Sequence, residues 1–200
     1  MSKNLKEAIK DRRTYYGIGK ELPISKEEVE SYVKHAAQYV PSSFNSQSSR
    51  IVVLFGEEHD KLWNITKESL RKIVPAENFA STEEKINSFQ AGAGTILYFE
   101  AKSVVTGLQE QFPLYKDNFP VWAEQANGML QFAVWTLLDA AEVGASLQHY
   151  NPLIDEEIAN TWNISKDWKL IAQMPFGNKV AEPAEKSFIP IEERVKIFGL

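Results

Sequence analysis

Pro120-Val-Trp-Ala-Glu-Gln-Ala-Asn-Gly-Met-Leu-Gln-Phe-Ala-Val-Trp-Thr-Leu-Leu-Asp-Ala-Ala-Glu-Val-Gly144 is the stretch on which the architecture turns. Proline suits the first turn of a helix and glycine its end, so the segment predicts one helix of about six turns at roughly 3.6 residues per turn. Its apolar residues, from Val121 and Trp122 through Met129, Leu130 and Phe132 to Leu138 and Ala141, run nearly all the way round. A helix apolar on most sides needs cover on most sides, and for a single domain a second subunit is the readiest extra cover. Asn127 and Gln131 interrupt the weakly charged part from Ala126 to Leu138, which falls short of the roughly 20 apolar residues of a membrane span. The helix is therefore predicted to be buried in protein.

Other elements are marked on either side of it. Leu5, Ala8 and Ile9 make an apolar stripe ending near Arg12-Arg13, and Ser25-x-x-Glu28 is a capping-box pattern that opens a helix running to about Gln38. Ser81-x-x-Glu84 repeats the pattern; further helices are predicted from Glu58 to Ile73 and from Asp155 to Thr161. Arg50 to Phe55, Thr95 to Phe99 and Lys169 to Met174 read as strands, and their continuous apolar character predicts cover on both faces. Helices on both sides of a small central sheet follow. Gln90-Ala-Gly92-Ala-Gly94 precedes a strand instead of linking a strand to a helix, so it predicts close packing and not a dinucleotide loop. No Pro-, Gly- or Ser-rich linker divides the chain, which predicts a single domain over residues 1–200.

Composition narrows the chemistry. With 22 basic and 27 acidic side chains, a net charge of -5 and no Lys/Arg-rich block, the chain lacks the footprint of a nucleic-acid or anionic-membrane binder. It has no cysteine, which excludes disulfides, thiolate metal sites and thiol nucleophiles, so any redox chemistry needs a bound cofactor. The charged start, Met1 to Ala8, has no apolar segment of the secretory kind, and a cytoplasmic protein is expected. His35, His59 and His149 show no metal-ligand spacing, so no metal site is expected.

Three polar clusters could carry a ligand. Arg12-Arg13-Thr14 places two guanidinium forks and a hydroxyl where a helix gives way to loop, suited to phosphate oxygens or the edge of a flat heterocycle. Cations also favour a helix C-terminus for the sake of the dipole alone. Pro41-Ser42-Ser43-Phe44-Asn45-Ser46-Gln47 is a dense polar loop before a strand, able to present hydroxyls and amides to one ligand edge or simply to turn the chain. In Gly144-Ala-Ser-Leu-Gln148-His149, small residues allow close backbone approach while Gln148 and His149 offer polar contacts.

Taken in order, Arg12-Arg-Thr14, Pro41-Ser-Ser-x-Asn45-Ser-Gln47 and Lys186 before a Pro-Ile-Glu-Glu tail resemble the nitroreductase family of flavin mononucleotide (FMN) enzymes. Phe112-Pro-Leu-Tyr115, Phe119-Pro-x-Trp122, Leu147-Gln-His-Tyr-Asn-Pro152 and Gln173-Met-Pro-Phe-Gly177 are similar to its short bacterial and fungal branch. The resemblance implies an α+β fold, a three-layer α/β/α sandwich with a central mixed sheet, forming a homodimer through the apolar helix, with FMN at the subunit interface. It also implies that Arg12 and Thr14 hold the phosphate and ribityl chain, with Arg13 near the pyrimidine edge and Lys186 on the phosphate. Pro41, Ser42, Ser43, Asn45 and Gln47 would approach from the other subunit, and Gln148 and His149 would lie beside the ring. Many members carry an arginine two residues after the tail lysine; Phe188 stands there in this chain, with Lys179 as a substitute cation.

The activity so implied is two-step: NADH or NADPH delivers a hydride to FMN, and an oxidant then replaces the nicotinamide and is reduced. No side chain need act as a catalytic acid. Phe112, Tyr115, Phe119 and Trp122 would line the pocket for flat nitroaromatic or quinone acceptors, although aromatic residues also build ordinary cores. The alternative is an FMN-binding regulatory or flavin-holding protein of a lipid, metal or oxidative stress response, with little turnover.

Overall fold

The computed structural model describes residues 3–199; Met1, Ser2 and Leu200, which belong to the predicted N-terminal reading and domain ends, lie outside them. In chain order the elements are α1 (Leu5–Asp11), β1 (Ile18–Gly19), α2 (Lys26–Tyr39), β2 (Ser49–Phe55), α3 (Glu57–Arg71), α4 (Phe79–Gln90) and β3 (Gly94–Ala101). They continue with α5 (Lys102–Gln111), α6 (Asn118–Ala140), β4 (Val143–Ala145), α7 (Asp155–Thr161), β5 (Trp168–Lys179) and α8 (Ile191–Arg194).

The sheet runs β1-β5-β3-β2, with β4 also on β5. Its ladders are antiparallel, and among the described residues parallel pairing enters only through a single bridge between Thr14 and Ala145. Alternate residues of β3 explain the layers. Ile96 and Tyr98 face Val29 and Val33 of α2 and Leu130, Val134 and Leu138 of α6. Leu97 and Phe99 face the other way, onto Leu62 and Trp63 of α3, Ile86 and Phe89 of α4, and Ile158 of α7. A side-chain period of two on a strand, covered by helices on both faces, gives the three-layer sandwich. β3 is buried throughout, whereas β2, at the edge, is half-buried along most of its length.

The Ser25 capping box forms with both reciprocal bonds. The similar pattern at Ser81 does not open a helix: Ser81 lies inside α4 and its hydroxyl donates to the Asn78 carbonyl at 3.2 Å. α6 stops at Ala140, before the predicted end at Gly144, because Glu142 turns to a positive φ of 61° and residues 143–145 pair with β5. Close packing around the glycines is as expected. A Cβ on Gly92 would lie 2.7 Å from Ile18 Cδ1 and 2.8 Å from the Phe176 carbonyl. No described helix is long and apolar enough to cross a membrane.

His59 of α3 is 1% exposed, with Nδ1 2.8 Å from the Thr95 hydroxyl and Nε2 3.2 Å from the Gln90 carbonyl. The Trp63 indole donates to the same hydroxyl at 3.0 Å. Burial opposes charging the imidazole and lowers its pKa, despite the help of the Gln90 carbonyl and Asp60. The unfolded chain therefore takes up a proton first as pH falls below about 6.5. Stability should decline from there down to the folded-state pKa, by at most about 1.4 kcal/mol per pH unit for this one group. Urea midpoints across that window should fall less steeply in His59→Gln than in the wild type; equal slopes would remove His59 as the cause.

Candidate active site

α1 begins with a capping box between Asn4 and Glu7 and ends at Asp11, leaving Arg12 at its C-cap. The next residues are pinned to β4. Thr14 bridges to Ala145, and the Tyr15 N–H donates to the Ala145 carbonyl at 3.0 Å. A cleft of about 620 Å³ opens there, lined by Arg12, Arg13 and Thr14 on one side and by residues 181–187, including Lys186, on the other. Arg13 donates a hydrogen bond to the Ala184 carbonyl, tying that tail segment to the cleft. Glu182 and Glu185 share the wall and are exposed, where solvent screens them.

Arg12 sets the electrostatics. Its guanidinium carbon lies 4.4 Å from the centre of the Trp135 ring, and its Nε is buried without a hydrogen-bond partner among the described residues. Burial draws its pKa down; Asp139 opposes this and Arg13 adds to it. Asp139, 1% exposed, is paired instead with Lys179 at 3.2 Å and Lys3 at 3.5 Å. Lys179 also reaches Glu142 at 3.1 Å. Burial works against the Lys179 ammonium, but Glu142 and Asp139 outweigh it and leave its pKa raised. Lys179 does not line the cleft, so the suggested substitute cation is already engaged by two carboxylates. A partly desolvated arginine with an unpaired donor, beside a second arginine, a lysine and a hydroxyl, fits a phosphate-bearing group.

The polar loop forms elsewhere. Pro41, Ser42 and Gln47 line a small cleft of about 50 Å³ against Ala126 and Leu130 of α6. Phe44, Asn45 and Gln47 all have positive φ (57°, 51° and 48°), an uncommon backbone for non-glycine residues. Ser42 helps to hold it, accepting a 2.9 Å bond from the Gln47 N–H at Oγ. This geometry turns Phe44 into the predicted aromatic set: its ring centre lies 4.9 Å from Phe112, 5.3 Å from Phe119, 6.0 Å from Tyr115 and 6.1 Å from Trp122. Phe119 is buried, Phe112 and Trp122 half-buried and Tyr115 exposed. Neither the loop nor the aromatic cluster lines the Arg12 cleft of the same chain.

Gln148 is buried, exchanges backbone bonds with Gln173 at 2.7 and 2.9 Å, and donates its side-chain amide to the Ser146 hydroxyl at 3.0 Å. His149 next to it is exposed. Sequence reading missed three residues, Phe44, Trp135 and Asp139. Phe44 lay inside a loop read for its polar members, and the i, i+4 spacing of Trp135 and Asp139 on α6 could have marked a shared face but not what it meets.

The sequence pattern of the nitroreductase family matches residues 9–178. The structure superposes on the nitroreductase CinD from Lactococcus lactis, solved in complex with chloramphenicol, with a TM-score of 0.90 and 41% identity over 98% of this chain and 100% of that one. A second CinD structure, in complex with 4-nitrophenol, gives 0.89 and 42% over the same shares. The Saccharomyces cerevisiae nitroreductase FRM2 is 31% identical over 189 residues, 93% of each chain. With a match over most of its length and the same three-layer fold, the chain belongs to the nitroreductase family.

Proposed function

We propose that the chain binds FMN and uses NADH or NADPH to reduce small nitroaromatic or quinone acceptors. The observation that carries the reading is the convergence of Arg12, Arg13, Thr14 and Lys186, separated by up to 174 positions in sequence, on one cleft. Arg12, Thr14 and Lys186 would hold the phosphate, and Arg13, anchored to the tail, would stand at the ring. When bound, FMN supplies the relay of two electrons from nicotinamide to oxidant. The chain's own contribution is binding and orientation. Cations fixed at the cleft favour negative charge where it develops, and no side-chain acid is required. The aromatic group of Phe44, Phe112, Tyr115, Phe119 and Trp122 suits a flat acceptor, in keeping with the chloramphenicol and 4-nitrophenol held by CinD.

A second copy of the chain completes this site. Val121, Met129 and Phe132 of α6 are 52%, 45% and 43% exposed, an apolar stripe for a subunit interface, and the Pro41–Gln47 loop would reach the FMN of the partner. Purified protein should be yellow, sediment as a dimer with one FMN per chain, and oxidise NADH or NADPH in the presence of 4-nitrophenol or a quinone. Colourless protein that takes up no added FMN would refute the reading, and bound FMN without turnover would leave a flavin-holding protein.

A further inference from the structure

Arg12 is held in an unusual way. Among the described residues its side chain makes no hydrogen bond and no ion pair, its Nε is buried without a partner, and Asp139, whose charge it feels, is instead paired by Lys3 and Lys179. What it does touch is the Trp135 ring, 4.4 Å from the guanidinium carbon. The indole Nε1 is likewise buried without a partner, so no hydrogen bond orients either group. The contact with the ring therefore does the orienting.

Stacking has a consequence that hydrogen bonding would not. A guanidinium held by a ring gives none of its N–H donors to a protein acceptor and leaves its terminal ones for a ligand, whereas one clamped by a carboxylate gives two of them away. The two lysines reinforce this by taking up Asp139, which stays close enough to support the Arg12 charge without neutralising it. Resting on the phosphate reading of Arg12, we infer that Trp135 is a positioning residue: its indole face holds the Arg12 guanidinium edge-on to the cleft, ready for bidentate contact with a phosphate. Trp135 touches neither the ligand nor the reacting atoms in this account. It acts through Arg12 alone.

The test compares two ligands that differ only in the phosphate. FMN and riboflavin are titrated by fluorescence into cofactor-stripped wild type, Trp135→Leu and Trp135→Phe, with thermal midpoints recorded for all three. Trp135→Leu should weaken FMN roughly three- to thirtyfold, the span of a cation–π contact from exposed to desolvated sites, and leave riboflavin unchanged. Trp135→Phe keeps a ring of lesser π strength and similar packing, so it should fold, retain most of the preference for FMN and fall between the other two. Equal weakening of FMN and riboflavin would mean a merely structural tryptophan and overturn the proposal, as would an unchanged FMN-to-riboflavin ratio in both variants. Wild type that binds the two ligands equally would be a different failure, that of the phosphate reading itself.

Discussion

Arg12→Ala should weaken FMN binding roughly ten- to a hundredfold, the equivalent of about 1.5–3 kcal/mol for a charge-assisted contact. The reason lies in what the guanidinium lacks. It is partly buried, its charge is disfavoured by that burial, and Nε has no partner, so an anion arriving in the cleft meets donors that need not first leave another acceptor. Lys186 is exposed, with its ammonium 5.1 Å from the centre of the Phe188 ring, and cannot substitute with comparable strength because solvent screens it. Isothermal titration with FMN measures the loss. An unchanged dissociation constant in Arg12→Ala would take the phosphate away from this cleft.

Gly177→Ala should be more damaging still, costing more than the about 1–3 kcal/mol usual for an overpacked core. A Cβ there would stand 2.0 Å from the Gly19 carbonyl oxygen and 3.2 Å from the Ala93 nitrogen, and backbone on both sides cannot swing away as a side chain can. The collision pushes β1 off β5, where Gly19 pairs with Asn178. Because Gly17, two residues before Gly19, lines the Arg12 cleft and accepts the Val180 N–H at 3.0 Å, cofactor binding should suffer together with stability. Gly107→Ala is the control: it lies in α5 with nothing within 4 Å of its new Cβ, and should be neutral or stabilising by up to about 1 kcal/mol. Chemical denaturation of both variants decides the matter, and similar midpoints for the two would contradict it.

The sequence disclosed those parts of the fold whose pattern is strong along the chain. The apolar circumference of α6, the capping box of α2 and the three long strands are local signals, and each has its counterpart in the structure. β1 and β4 span two and three residues and exist only because β5 recruits them, so no periodicity could mark them. α5 went unread because it is short and shallowly packed: it buries no residue completely, and Val104, Val105 and Leu108 on its inner face are only half-buried. The site divides along the same line. Arg12, Thr14 and Lys186 were recognisable as types and positions, and folding brings them to one cleft. The hold of Trp135 on Arg12, the capture of Asp139 by two lysines and the turning of Phe44 toward the aromatic residues depend on tertiary approach and on a positive φ, neither of which is written in residue spacing.

Anaerobic stopped-flow absorbance of the FMN-loaded protein separates reduction of the flavin from its reoxidation. NADH or NADPH should bleach the flavin band, and subsequent mixing with 4-nitrophenol or a quinone should restore it, each in a separate step that saturates with its own substrate. Flavin absorbance that stays unchanged when either nicotinamide is added in excess would contradict the account.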